Sequence, residues 1–195
     1  EGADARLLQA PFILEGGTVL LATSGRIHRI DLAGMKPPAS FRPDGVLQRA
    51  WVFPELVSGQ AVLHVRSRGL PVLLGMDLRS LTEVWRHEKL PAHRSEISVH
   101  VDGTRLYIIH GDEKWSLTAL DLRPDAARGR MVAVPLWPAD VSVGTFFSRD
   151  PERRLLITPT ALLVPDPGSL SVMAYDKFKG TNRTFDLSRP LTRFL

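Results

Sequence analysis

Residues Gly59–His87 read GQAVLHVRSRGLPVLLGMDLRSLTEVWRH, and this stretch decides the fold. It holds three short apolar runs, Ala61–Arg66, Pro71–Asp77 and Thr82–His87. The first break is the turn signal Ser67-Arg68-Gly69, and the second is Leu78–Leu81. Runs of this length, bounded by Gly, Pro, Asp or Ser and containing β-branched and aromatic residues, read as strands. No stretch of a dozen residues elsewhere shows i, i+3, i+4 apolar spacing, and 15 Pro would interrupt one. The chain reads as all-β.

The same pattern recurs on either side. Gly17–Leu32 is GTVLLATSGRIHRIDL and Gly103–Leu122 is GTRLYIIHGDEKWSLTALDL. Each copy has a Gly, an apolar strand, a polar turn, a second apolar strand and a closing Asp-Leu. The closing pairs start at Asp31, Asp77 and Asp121, a spacing of about 45 residues. A looser fourth copy has strands at Arg154–Thr158 and Ser171–Tyr175, with Asp176 in the closing position. Between those two strands lies a Pro-rich excursion, Pro159–Ser169, that the other copies lack.

A repeat of about 45 residues built from four short strands is the signature of β-propeller blades. In the third repeat the strands are Glu96–Val101, Arg105–His110, Ser116–Asp121 and Arg130–Val134; in the second, Val46–Phe53 precedes the three runs quoted above. Ile97, Val99 and Val101 alternate with Ser98, His100 and Asp102, as a strand requires. The expectation is a single β-propeller-type domain over residues 1–195, with about four blades of four antiparallel strands at 5–44, 45–91, 92–137 and 138–195. A half ring would expose two apolar blade faces. The expected form is therefore a small four-bladed ring or, preferably, part of a larger propeller whose missing blades come from elsewhere.

The segment PVLLGMDLRSLTEVWRH, with its Asp-Leu and Val-Trp, resembles the repeat of the PQQ-like (quinoprotein dehydrogenase-like) β-propellers, and GGTVLLATSGRIHRIDL is similar in its first two strands. The likeness covers about three of four repeats. The Gly that family places between Asp and Trp is absent from Arg79–Glu83, and only the second repeat keeps the Trp, as Trp85. WD40-like propellers are the other family considered, although no Trp-Asp or Gly-His signature occurs, and YVTN-type propellers suit the third repeat. The resemblance implies a quinone cofactor with calcium in catalytic members, held by an acidic cluster and often paired Cys. This chain has no Cys and no recurring acidic cluster, so no cofactor is expected.

Composition narrows the function further. With 44% hydrophobic and 24% charged residues the chain is of globular type, and no apolar run approaches the roughly 18 residues that span a bilayer. Direct membrane insertion is not expected. The net charge of +4 comes from Arg interleaved with Asp and Glu, without the basic run of a nucleic-acid tail. No nucleic-acid partner is expected. The absence of Cys leaves the compartment open, with a lean to an extracytoplasmic one, periplasmic or secreted. Starting at Glu1 without a Met or a signal peptide, the chain reads as a processed protein or a piece of a longer one.

No catalytic or metal-binding residue is assigned. His87-Glu88 opens like a zinc-protease motif, but Pro91 stands where the second His belongs. His87 and His93 bracket a loop as two solvated histidines, and His64, His100 and His110 lack ligand spacing. No Gly-x-Ser-x-Gly and no phosphate loop occurs. Asn182-Arg183-Thr184 fits a glycosylation acceptor, which matters only in a eukaryotic secreted protein. Asp77 is read as bracing a turn and Trp85 as packing between blades, while Trp115 and Trp137 are expected at the surface.

Partner binding is expected on the connecting loops: Gly34–Pro43, Glu88–Ser95, Pro135–Asp140, Ser67–Gly69 and Gly111–Lys114. Their candidate residues are Arg68, His93, Arg94, Lys114 and Trp137, cations and an aromatic that suit an acidic or protein partner. The Pro159–Ser169 excursion is a further candidate. The functional expectation is a non-enzymatic interaction platform or subunit of a larger assembly. The alternatives are a ligand-sensing receptor domain and a propeller dehydrogenase or hydrolase with its site on the top face.

Overall fold

The structure is a computed structural model and describes residues 6–34, 37–56, 59–90, 96–111, 115–127, 129–144, 155–166 and 171–186. It is all-β apart from a single 3-10 turn at Glu15–Gly17 among the described residues. The first sheet is a meander of β1 (Phe12–Leu14), β2 (Thr18–Ala22), β3 (Ile27–Asp31) and β4 (Ala39–Phe41). The second sheet runs in the same order through β5 (Val46–Phe53), β6 (Gln60–Ser67), β7 (Leu70–Asp77) and β8 (Glu83–His87). The third contains β9 (Glu96–Asp102), β10 (Arg105–Gly111), β11 (Trp115–Asp125) and β12 (Arg130–Pro135), with β13 (Val141–Gly144) also pairing β11. The fourth contains β14 (Leu156–Ile157), β15 (Ala161–Asp166), β16 (Ser171–Asp176) and β17 (Asn182–Asp186).

Local chemistry explains each meander. The β6–β7 hairpin closes Ser67 on Leu70, and the two residues between them, Arg68 (φ 50°) and Gly69 (φ 83°), both take positive φ. That is the primed turn whose twist matches the flanking strands. Three of the repeated Asp residues brace the next turn in the same way, their carboxylate accepting an N–H two residues on. Asp31 takes Ala33 N at 3.0 Å, Asp77 takes Arg79 N at 2.9 Å and Asp176 takes Phe178 N at 2.9 Å. The residue after each Asp donates its N–H back to the start of the preceding strand: Leu32 to Gly17, Leu78 to Gly59, Leu122 to Thr104 and Lys177 to Thr160. The four repeats are thus equivalent at the backbone. Asp121 differs, accepting the Thr104 hydroxyl at 2.7 Å.

Two compact units divide the chain, Glu1–Ala92 with Arg123–Ala133, and His93–Leu122 with Val134–Leu195. In the first, the inner faces of sheets one and two share a core. Leu20, Ala22 and Ile27 meet Leu47, Ala61, Leu63, Val65, Leu74 and Met76, all nearly solvent-free. In the second, β10 and β11 contribute Tyr107, Ile109, Leu117 and Ala119 against Leu155, Leu162, Val164 and Tyr175 of the fourth sheet. Each unit is a two-layer, sandwich-like packing of sheets, with interior side chains each worth about 1.5–3 kcal/mol of transfer free energy.

This arrangement corrects the expected propeller. Among the described residues the four antiparallel sheets are discrete, no strand pairs from one sheet to another, and they do not close into a ring. The strands of a repeat specify a four-stranded meander. They do not specify closure, which depends on what packs on the outermost faces.

Two smaller expectations are also corrected. The segment read as a Pro-rich excursion contains β15, paired throughout with β16 from Ala161↔Asp176 to Asp166↔Ser171. Pro165 lies opposite Val172 near the strand's end, where a missing N–H costs least. Thr158 opens the turn into β15, its hydroxyl accepting Ala161 N and donating to Ala161 O, both at 2.9 Å. Similarly, the loop read at Gly34–Pro43 contains β4, an edge strand paired to β3.

Candidate functional site

The first unit has an open cleft of about 560 Å³ lined by residues of both its sheets. Leu14, Arg29 and Asp31 line it from sheet one, and Pro54, Leu78 and Arg79 line it from sheet two. Arg29 pairs with Leu20 on the core-facing side of β3, which carries its guanidinium across to the second sheet. There it donates to Leu78 O at 3.2 Å and to Arg79 O. Asp31 is engaged by its own turn. The cleft therefore offers apolar walls and charge, with Thr18 directly across from Asp31 in the register of β2 and β3.

The second unit buries a polar relay. The Thr118 hydroxyl donates to Asp140 Oδ1 at 2.6 Å and lies 2.8 Å from His110 Nε2. Because the one hydroxyl proton is committed to Asp140, the contact to His110 requires Nε2–H as donor. That is the reverse of a His taking a proton from a hydroxyl nucleophile. With His110 and Thr118 both buried and Asp140 43% exposed, His110 Nε2 also 3.6 Å from Asp140 Oδ2, the relay links polar groups inside the sheet to a carboxylate at its surface.

A second buried cluster lies where β9 and β10 meet the turn after β16. Lys177 reaches Asp102 Oδ2 at 2.5 Å and Thr158 O at 2.9 Å, and Trp137 Nε1 donates to Lys177 O at 3.1 Å. Arg105 stacks over Phe178 at 4.7 Å, and Tyr107 packs on Trp137. Burial pushes the Tyr107 phenol up to about 12, so it stays protonated.

Of the partner-binding residues expected from sequence, Arg68 and Trp137 are among the described residues. Arg68 is exposed at the tip of the β6–β7 hairpin. Trp137 is buried to 3% exposure, held by its bond to Lys177 and by Gly180 beneath its ring. Trp115 is buried to 4% in the same core. Both Trp were expected at the surface; instead Trp115, the first residue of β11, and Trp137, just after β12, both belong to the second core. His93, Arg94 and Lys114 lie outside the described residues. Trp85 is fully buried, its indole N–H donating to Gln60 Oε1 at 2.7 Å. Without a ring, the loop-borne platform has no common face to stand on. The sensing and top-face enzyme alternatives fall with it.

Sequence reasoning missed the outer faces of the first and last sheets. Cross-strand pairing sets Leu156, Leu163, Ala174 and Arg183 in one row across sheet four, and Pro165, Val172 and Phe185 in the next. These residues alternate with the core residues Leu162, Val164 and Tyr175, so they face away from the core. Leu156 is 58% exposed and Phe185 40%. On sheet one, Ile13, Val19 and Ile30 form one outward row and Leu21, His28 and Ser40 another. Ile13 is 80% exposed. The signal was present in the sequence: TVLLA and ALLV are apolar at consecutive positions, as in a strand covered on both sides.

No family model and no curated protein matches the chain, so the PQQ-like and WD40-like resemblance is not supported. Solved structures match in fold. A putative 6-phosphogluconolactonase from Bacteroides uniformis superposes with a TM-score of 0.56 at 15% identity, covering 91% of this chain and 53% of that one. Hsv2 of Kluyveromyces marxianus gives 0.50 at 8% identity, with 94% and 52% covered. BBS1N in complex with ARL6DN gives 0.50 at 15% identity, with 90% and 51% covered. At these identities the likeness is one of fold alone. The chain spans about half the length of the structures it matches.

Proposed function

We propose that the chain is a protein-binding module whose first and last sheets are covered by β-sheet from a protein partner. The observation that carries this reading is the apolar outer face of sheet four, with Leu156 58% and Phe185 40% exposed beside half-buried Leu163 and Val172. Sheet one repeats it with Ile13 at 80%. Contiguous exposed apolar rows on a sheet mark an interaction surface, because leaving them in water costs solubility. No helix among the described residues is long and apolar enough to cross a membrane. Among structures of similar fold, BBS1N is held in a complex with ARL6DN, which is in keeping with such a role.

The test is retention from a lysate of the source cells by immobilised chain, wild type against the double variant Leu156→Asp, Phe185→Asp. The reading expects a stoichiometric protein retained by wild type and lost from the variant. Equal retention by both, or none together with a well-behaved monomer that does not bind a hydrophobic dye, overturns it. Both positions are exposed, so far-UV circular dichroism should be unchanged.

A further inference from the structure

We infer that the occupant of these faces is a second copy of this chain, with the outer face of sheet one in one copy lying on the outer face of sheet four in the other. The inference rests on the protein-docking reading above and commits it to one partner. Its first support is what already covers such faces within the molecule. In each unit a four-stranded meander lies face to face on a neighbouring sheet through rows of Leu, Val, Ile and Ala. The complement of an uncovered face is therefore another sheet of the same construction, and the chain has one to offer at each end of its sheet order.

The composition of the two faces agrees. The outward rows of sheet one are Ile13–Val19–Ile30 and Leu21–His28–Ser40. Those of sheet four are Leu156–Leu163–Ala174–Arg183 and Pro165–Val172–Phe185. Asp176, opposite Ala161 at the margin of sheet four, keeps its carboxylate in its own turn. The central rows contain no carboxylate, and their one cation, Arg183, stands exposed on the edge strand β17, where its head can stay in water. The two faces differ, so the contact is heterologous and needs both kinds of face at once.

Size-exclusion chromatography with light scattering across a dilution series tests this directly. Wild type is expected at twice the 21.6 kDa chain mass. Ile13→Arg disables only sheet one, and Leu156→Asp, Phe185→Asp disables only sheet four. Each variant alone should weaken association at least tenfold. An equimolar mixture should regain a dimer, because one intact face of each kind remains. A wild-type monomer at every concentration overturns the inference, and so does a dimer indifferent to Ile13→Arg or a mixture that stays monomeric. If the wild type is monomeric yet still retains a lysate protein through Leu156 and Phe185, only the second-copy inference falls and protein docking stands.

Discussion

At the scale of single residues, Gly75 and His64 show how tightly sheet two is specified. Gly75 pairs with Trp85 across β7 and β8, and a Cβ there would meet the indole Nε1 at 2.0 Å. Gly75→Ala must displace Trp85 and its bond to Gln60, a cost of about 2–4 kcal/mol by overpacking and a lost buried hydrogen bond. Gly25→Ala, with open space around it, should cost almost nothing. Urea denaturation followed by tryptophan fluorescence separates them, and equal midpoints would refute the packing argument. His64, paired with Arg49 and Leu73, is held down to about 4 from 6.5, first by burial and then by the charges of Arg66 and Arg49. The folded state keeps it neutral while the unfolded chain binds a proton below 6.5. Its contribution is thus complete above that pH and is lost as the pH falls toward 4, by on the order of 2–3 kcal/mol. His64→Gln should flatten this part of the stability profile, leaving the carboxylate-linked loss at lower pH. The Trp was legible in the sequence as a packing residue. The glycine under it was not, because only the cross-strand register brings the two together.

At the scale of elements, the joint between sheets one and two depends on Arg29, which bonds the carbonyls of Leu78 and Arg79 from the other sheet. Arg29→Ala should lower the urea midpoint by the equivalent of about 1–2 kcal/mol, reduced from the usual value for charged donors because part of the site is solvated. Arg29→Lys, able to reach one carbonyl, should recover part of it, and Arg26→Ala on the exposed turn should change little. No loss in Arg29→Ala would mean that the sheets are joined by their apolar core alone. Sequence periodicity located the strands of sheets two and three because their central strands are apolar throughout and end in Gly, Ser or Asp. It lost β15 because Pro165 and the neighbouring Pro resemble a loop, although a Pro near a strand end removes little. It lost β4 because three residues cannot display a period. Asp77 was legible as a turn brace, and Asp31 and Asp176 act in the same way in their own repeats. Arg29 itself lies in the stretch Arg26-Ile27-His28-Arg29-Ile30, and nothing local marks which of its basic residues crosses to another sheet.

At the scale of the whole molecule, local repetition does not determine how many layers pack together. The same four-strand pattern serves a sheet covered on one face or on two, so reading a ring from the repeats goes beyond what they specify. The structure instead groups the sheets two and two, each unit having its own core. This grouping has a thermodynamic consequence. Leu63 belongs to the first core and Leu162 to the second, both at 0% exposure, so truncating either to Ala removes about 2–5 kcal/mol from the unit that holds it. If the units melt separately, differential scanning calorimetry should give a calorimetric enthalpy larger than the van't Hoff enthalpy. Leu63→Ala should then lower one component and Leu162→Ala the other. The strand β11 complicates the division, since its far end, from Arg123, belongs to the first unit while its start at Trp115 belongs to the second. Some coupling is therefore expected, and the untouched component should move in the same direction by a smaller amount. A single transition shifted equally by both substitutions would show that β11 binds the cores into one cooperative unit, and the two-unit description would have to be abandoned.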